Sequence, residues 1–372
     1  MSAGIAGMGW VTPLGRGIKP TWNRLLAGDE SAAQTISHGE NAKTYKAFLV
    51  PAESLSNLPP HPRLRRASAI SRFAAAAGLD AMTEAKAMQP AMDMTKLGLV
   101  FAVSNGGVTY TKRFYQGIVE SGPQSASPLL FPETVFNAPA SHLAAILGIE
   151  GLSYTVVGDG AVGILAIQMA ADLLETKAVD HCLVVAAEEA DWVLCDAYHK
   201  WRLTKSSPPI ELFSDPPCGT ILSEGAGALV LGREGNTRLD SINAGGNFIH
   251  QRNASELVGR ILRDLRDETN CIISSADGTF VDLAERDAIV QEMPNSIIYS
   301  PKGALGESVG ASALWQVIVA ALAVASQQIP PMPQGAERAG LRFPQPTAQV
   351  GSKAVVLSCG LNQQAAGLRL SI

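Results

Sequence analysis

The densest local signature in the chain is a glycine turn. Tyr154-Thr155-Val156-Val157-Gly158-Asp159-Gly160-Ala161-Val162-Gly163 reads as strand, turn and helix, and Gly158, Gly160 and Gly163 match G-x-G-x-x-G. An acidic residue, Glu188, follows the next strand. That is the context of a nicotinamide-binding oxidoreductase, because the helix N-terminus would accept a pyrophosphate. Two features oppose it. A nucleotide fold usually opens with this motif, whereas here a long structured stretch precedes it, and Asp159 would set a carboxylate beside the diphosphate. On the plainer reading Asp159 caps a helix whose first turn favours an anion.

The five cysteines, at 182, 195, 218, 271 and 359, are odd in number and contain no CxxC. That spacing argues against a disulfide framework or a structural zinc site. Cys182 sits in an apolar strand and reads as core. Cys218 lies in a Pro-flanked loop, and Cys359 has no base identified nearby in sequence. His142 falls in a helical segment and reads as packed, His181 opens a strand, and His199 lies in a Tyr-His-Lys-Trp stretch that reads as a surface or interface helix.

These groups must be positioned by a chain of 372 residues with 47% hydrophobic and only 17% charged residues. That composition excludes a disordered chain. Lys plus Arg is 29 against 34 Asp plus Glu, a net charge of −5, which gives no general pull toward nucleic acid or an anionic membrane. The N-terminus lacks a basic n-region, and the apolar stretch Ala311 to Ser326 is too short to span a bilayer. The expectation is a cytoplasmic protein with no membrane or nucleic-acid partner. Short apolar strands, such as Leu97 to Val103 and Cys182 to Ala187, alternate with helical runs such as Ala67 to Ala87 and Ala161 to Thr176. This predicts α/β architecture with buried, largely parallel sheet. A polar break near 235 divides the chain into residues 1–235 and 236–372, and Pro330 to Pro346 reads as a loop.

Six segments, in order, resemble the β-ketoacyl synthases of the thiolase superfamily. Gly4 to Gly15 resembles "TGxGxVSPLG", and Thr21-Trp22 with Leu25-Leu26-Ala27-Gly28 resembles "TWxxLLAG". Val135 to Ala140 resembles "VNAAAG", Gly151 to Val156 "GPSYTV", Ala186 to Glu189 "GGAEE", and Ser223 to Leu231 "GEGAGALVLE". The resemblance implies a thiolase-like fold, two related halves stacked in five layers α-β-α-β-α. It also implies a dimer through the strand near Cys182 to Ala187 and the segment around Val103 to Tyr115.

The departures from the family pattern are chemical. In the family, "YTVSTACASG" carries a nucleophilic Cys at a helix N-terminus; here that place falls on Gly160. The family's two histidines fall on Asp277 and Glu307, while Lys302 is kept. An ionised carboxylate cannot donate to a thioester and would repel an enolate. Leu361 and Asn362, beside Cys359, replace parts of the family's gating loop "SFGFGGTN". Asp159, Asp277, Glu307 and Lys302 are expected to converge as a salt-bridged plug, with new acid–base or metal chemistry as the alternative. No cofactor and no metal are expected. The resemblance therefore points to a non-catalytic subunit like the chain-length factors of polyketide and aryl-polyene systems, paired with a catalytic ketosynthase. The alternatives are an acyltransferase or hydrolase with changed chemistry, and the nicotinamide enzyme. A phosphopantetheine carrier protein is acidic, so the cluster Arg63, Arg65 and Arg66, by default a solvated face, is also a docking candidate.

Overall fold

In the computed structural model, residues 3–38, 43–332, 340–345 and 348–372 are described. Of the expected proline-rich loop, residues 333–339 and 346–347 lie outside them. Strands β1 (Ala3–Thr12), β2 (Leu97–Val103), β3 (Ser153–Val157), β4 (His181–Glu188) and β5 (Gly225–Gly232) form the first half. Its helices are α1 (Ala69–Met88), α2 (Val108–Ser121), α3 (Ala138–Leu147) and α4 (Val162–Glu175). The second half holds β6 (Thr237–Asn247), β7 (Cys271–Ile273), β8 (Ile297–Tyr299), β9 (Lys353–Cys359) and β10 (Gln364–Ser371), with α5 (Ala254–Leu265), α6 (Phe280–Glu292) and α7 (Ser312–Ser326).

The two halves repeat one topology. The strand order is β1-β5-β4-β2-β3 in the first and β6-β10-β9-β7-β8 in the second, the same order of chain ranks. In each half the last strand is antiparallel to both its neighbours and the other two pairings are parallel. Four strands of each half therefore point one way, as expected. The halves are not separate sheets, however. β1 and β6 pair antiparallel (Ala3 with Leu239, Gly4 with Arg238, Ile5 with Thr237), so one hydrogen-bonded ladder runs through both.

Strand β2 shows why these strands are apolar throughout. Leu97, Leu99, Phe101 and Val103 point to α1, while Val100 and Ala102 join the core around α4 and α7. A period of two with both faces buried leaves no polar position. Helix α1 can approach β1 closely because both surfaces are small: a Cβ at Gly9 would lie 2.1 Å from the Ala77 carbonyl oxygen. Helices α4 and α7 touch each other and strands of both halves. Helix α1 covers the outer face of the first half, and α5 and α6 cover that of the second. The layers are thus α-β-α-β-α.

One expectation needs correction. Strand β4 is hydrogen-bonded on both edges and buried along nearly its whole length, so Cys182 to Ala187 cannot offer an edge to a second subunit. The free edge of the first half is β3, whose side chains are partly exposed. Around it α2 buries none of its residues, and Tyr115, Val119, Leu129, Phe131 and Phe136 are exposed. Composition carries part of that difference: Ser153–Val157 includes Ser, Tyr and Thr, whereas Cys182 to Ala187 is apolar throughout.

Candidate functional site

The glycine turn carries β3 into α4, which runs between the halves. Gly160 lies just before the helix, and Ser358 Oγ donates to its carbonyl at 2.9 Å. The segment after β9 closes over it. A Cβ at Gly160 would lie 2.9 Å from Gly360 Cα, closer than real Cβ contacts come. The position thus lacks both a nucleophile and the room for one.

Asp159 does not cap α4, whose N-terminus has no side-chain cap. Its Oδ2 instead accepts the backbone N–H of Asn362 at 2.7 Å and of Gln364 at 3.4 Å. Its own N–H donates to Gln364 Oε1 at 3.3 Å. Burial raises the carboxyl above its ordinary range, and the backbone donors only partly offset that. The match to G-x-G-x-x-G therefore frames no open phosphate cradle: Gly360 covers Gly160, and Ala313 of α7 lies 2.8 Å from a Cβ built at Gly163. Glu188 is likewise committed, accepting from the backbone N–H groups of Ser104 and Asn105, and burial pushes it up to about 8.

On the second half, the turn after β7 holds Asp277, fully buried. Its Oδ1 accepts Thr279 Oγ1 at 2.6 Å and the Thr279 N–H at 3.0 Å, while Oδ2 has no partner among the described residues. Lys302 and Glu307 form a buried ion pair at 2.5 Å. Glu307 Oε1 also accepts from the Val309 N–H at 2.6 Å and from Ser312 Oγ at 2.8 Å, which ties the 302–312 turn to the start of α7. Burial pushes Asp277 well above its ordinary range; Lys302 opposes this, and Glu307 and Asp282 add to it. For Lys302 burial acts downward, but the charges of Glu307 and Asp277 outweigh it and the net shift is up. The opposite charges of Lys302 and Glu307 at this distance offset part of the cost of burying either.

Two acidic residues that the sequence reading did not single out complete the cluster. Asp282 Oδ1 accepts the N–H groups of Asp277 at 2.8 Å and Gly278 at 2.9 Å, and its Oδ2 that of Phe213 at 2.5 Å. Burial raises it to about 6. Glu285 accepts from Ser274 Oγ and from the Oγ and N–H of Ser275, and Ser275 Oγ in turn accepts the Cys359 N–H at 2.8 Å. Both lie on α6, three residues apart and so on one face. The Thr279 cap, whose hydroxyl accepts the Val281 N–H, was the available signal for where that helix starts.

Asp277, Lys302 and Glu307 thus converge, with Asp159 coupled electrostatically to Glu307 but bonded to the C-terminal segment. Cys359 is buried, and burial pushes its thiol well above the ordinary range. Leu361 is buried and Asn362 is exposed. Among the described residues no group of three or more His, Cys, Asp or Glu is arranged to hold a metal. Arg63, Arg65 and Arg66 are exposed, remote in sequence from this cluster. His142 is packed, its Nε2 2.5 Å from Glu133 Oε1. Among the described residues no helix is long and apolar enough to cross a membrane.

Two equivalent α/β halves around a pair of central helices, with the site at the N-terminus of one of them, define a thiolase-like protein. The chain belongs to the β-ketoacyl synthase family: the family described as β-ketoacyl synthase, N-terminal domain, matches residues 3–236. It is 23% identical over 360 residues to a 3-oxoacyl-[acyl-carrier-protein] synthase 2 of Vibrio cholerae, covering 88% of this chain and 87% of that one. A synthase of the same name from Synechocystis is 23% identical over 374 residues, covering 88% and 86%. The fold is shared with the ishigamide ketosynthase/chain length factor (TM-score 0.86, 18% identity, 100% of this chain and 98% of that). It is also shared with a ketosynthase in complex with its chain length factor from Xenorhabdus doucetiae (TM-score 0.83, 19% identity, 100% and 98%).

Proposed function

We propose that this chain is a non-catalytic ketosynthase-like subunit of the chain-length-factor type. It would act in fatty-acid or polyketide and aryl-polyene synthesis, beside a catalytic ketosynthase. The observation that carries this is Gly160 with Gly360 packed against it: the place of the family nucleophile holds no side chain and no space for one. The histidine places, Asp277 and Glu307, support the same reading. Glu307 is neutralised by Lys302 and committed to Val309 and Ser312, so it is not free to serve a substrate. The division at 235/236 belongs to this proposal, as the point between two topologically equal halves.

The partner face is the free edge of β3 with α2 and the segment around Leu129 to Phe136. Large apolar side chains exposed together mark an interaction surface rather than a solvated one. Arg63, Arg65 and Arg66 supply a positive patch for an acidic carrier protein. Co-expression with a ketosynthase that carries an intact Cys-His-His set tests the proposal. A stable 1:1 complex whose product length changes with this subunit supports it; a ketosynthase that neither binds the chain nor responds to it refutes it.

A second reading, an acyl-thioester enzyme with changed chemistry, rests on Asp277. Its Oδ2 is buried without a partner among the described residues, and burial raises its carboxyl, the direction that suits a proton donor. Loss of a thioester hydrolase or acyltransferase activity on Asp277→Asn would favour it; absence of any such activity in the unmodified protein would remove it.

A further inference from the structure

We propose that a cavity far in sequence from the Asp277 cluster binds a small phosphomonoester. The cavity, of about 290 Å³, lies between the hairpin strand Thr44–Phe48, the helix Trp192–Lys200 and the loop that follows it. Three of the chain's eleven lysines, Lys43, Lys46 and Lys205, line it, in a protein whose net charge is −5. Such a concentration of cations against the overall charge creates a local field that draws anions.

The neighbouring carboxylates do not cancel it. Asp196 is shared among three partners: Oδ1 accepts Tyr45 Oη at 2.5 Å, Oδ2 pairs with Lys200 at 2.6 Å, and the charge of Lys43 also acts on it. Glu211 stands 3.7 Å from Lys205 and offsets that one lysine, which also donates to the Pro209 carbonyl at 2.6 Å. Lys46 uses one of its three donors on Thr35 Oγ1 at 2.8 Å. Lys43 makes no hydrogen bond among the described residues. Lys43 and Lys46 therefore keep N–H donors for a ligand, and Lys43, Lys46, Lys200 and Lys205 together outnumber Asp196 and Glu211; the hydroxyl groups of Thr44 and Ser206 line the same cavity. The tilted rings of Tyr45 and His199, 5.6 Å apart, offer aromatic faces to the organic part.

The site is built to bind, not to react. Cys195 at its floor is buried, and burial pushes its thiol up to about 12, far from a thiolate. The volume, near the lower end for ligand cavities, suits a phosphate with a short organic tail. This inference is independent of the subunit reading, since it uses none of the residues near Gly160.

Titration calorimetry of the full chain with inorganic phosphate, 4′-phosphopantetheine and pantetheine tests it. Saturable binding of the two phosphates and none of pantetheine is expected, weakened at least about tenfold in the Lys43→Ala/Lys46→Ala variant. Tighter binding of phosphopantetheine than of phosphate assigns the ligand to a carrier arm; equal binding assigns it to a free phosphate. Lys43→Arg/Lys46→Arg keeps the charge and is expected to keep binding, which separates lost charge from lost fold. No saturable phosphate binding, or binding untouched by the alanine pair, overturns the proposal.

Discussion

Asp159 holds Asn362 across 203 residues of sequence, its carboxylate accepting the Asn362 backbone N–H at 2.7 Å. In the family that this sequence resembles, the segment is a gate; here it is tied to the turn it would uncover. The same carboxylate accepts from Gln364, and a Cβ at Gly360 would lie 2.0 Å from its Oδ2. Asp159→Ala removes the acceptor without touching the backbone. Amide exchange at Asn362 and Gln364 should then rise about tenfold, with a stability loss of roughly 1–2 kcal/mol. Unchanged exchange at both amides would show that the clamp does not hold the segment.

Lys302 and Glu307 should behave as a unit. Lys302→Met leaves a buried carboxylate without its partner and should cost about 3–5 kcal/mol in denaturant unfolding. Adding Glu307→Gln removes the stranded charge and should recover much of that loss, giving a large coupling energy in the double-mutant cycle. Simple additivity would mean that the two are not a dominant pair.

Glu188 gives a pH signature. Burial sets its folded pKa at about 8, above the unfolded value. The folded state thus binds the proton more tightly, and its stabilisation is present below the ordinary carboxylate range and lost as pH rises toward about 8. Glu188→Gln keeps an acceptor for Ser104 and Asn105 but no proton to lose. Chemical denaturation between pH 5 and pH 8 should show a fall of a few kcal/mol in the parent protein and a clearly smaller fall in the variant. Asp282, raised to about 6, and Glu224, raised to about 7, leave a residual slope of the same sign. Parallel curves would contradict the assignment.

Restoring the missing thiol should fail. In Gly160→Cys the new Cβ meets Gly360 Cα, so the expected outcome is a loss of about 1–3 kcal/mol and a side chain that displaces the C-terminal segment. On the proposed reading condensing activity should remain absent, because Asp277 and Glu307 would still stand at the histidine places. Condensation by the single variant would show that only the thiol was missing.

Much of the layering was legible because burial on both faces leaves a clear mark. Leu97 to Val103 was expected as a strand and spans those residues, its alternation divided between two cores. The partner edge was legible only in part. Ser153–Val157 carries Ser, Tyr and Thr while Cys182 to Ala187 is apolar throughout, a difference that fits a rim and a centre, but only the order of pairing fixes which strand is the edge. At the site, the resemblance singled out Gly160, Asp277 and Glu307, and the structure brings Asp277 and Glu307 together around Lys302. Asp282 and Glu285 were not singled out, since acidic residues early in an amphipathic helix read as a solvated first turn until the turn of Asp277 packs over them. Asp159 was read as a local cap; its true partner lies at the far end of the chain, and no local spacing encodes that.

The most direct measurement is condensation by the purified chain alone, with acyl and malonyl thioesters on carrier protein and mass analysis of the product. With no side chain and no space at Gly160, no β-ketoacyl product is expected, and none should appear until a catalytic ketosynthase is added. Turnover to β-ketoacyl product by the chain on its own would contradict a non-catalytic subunit outright.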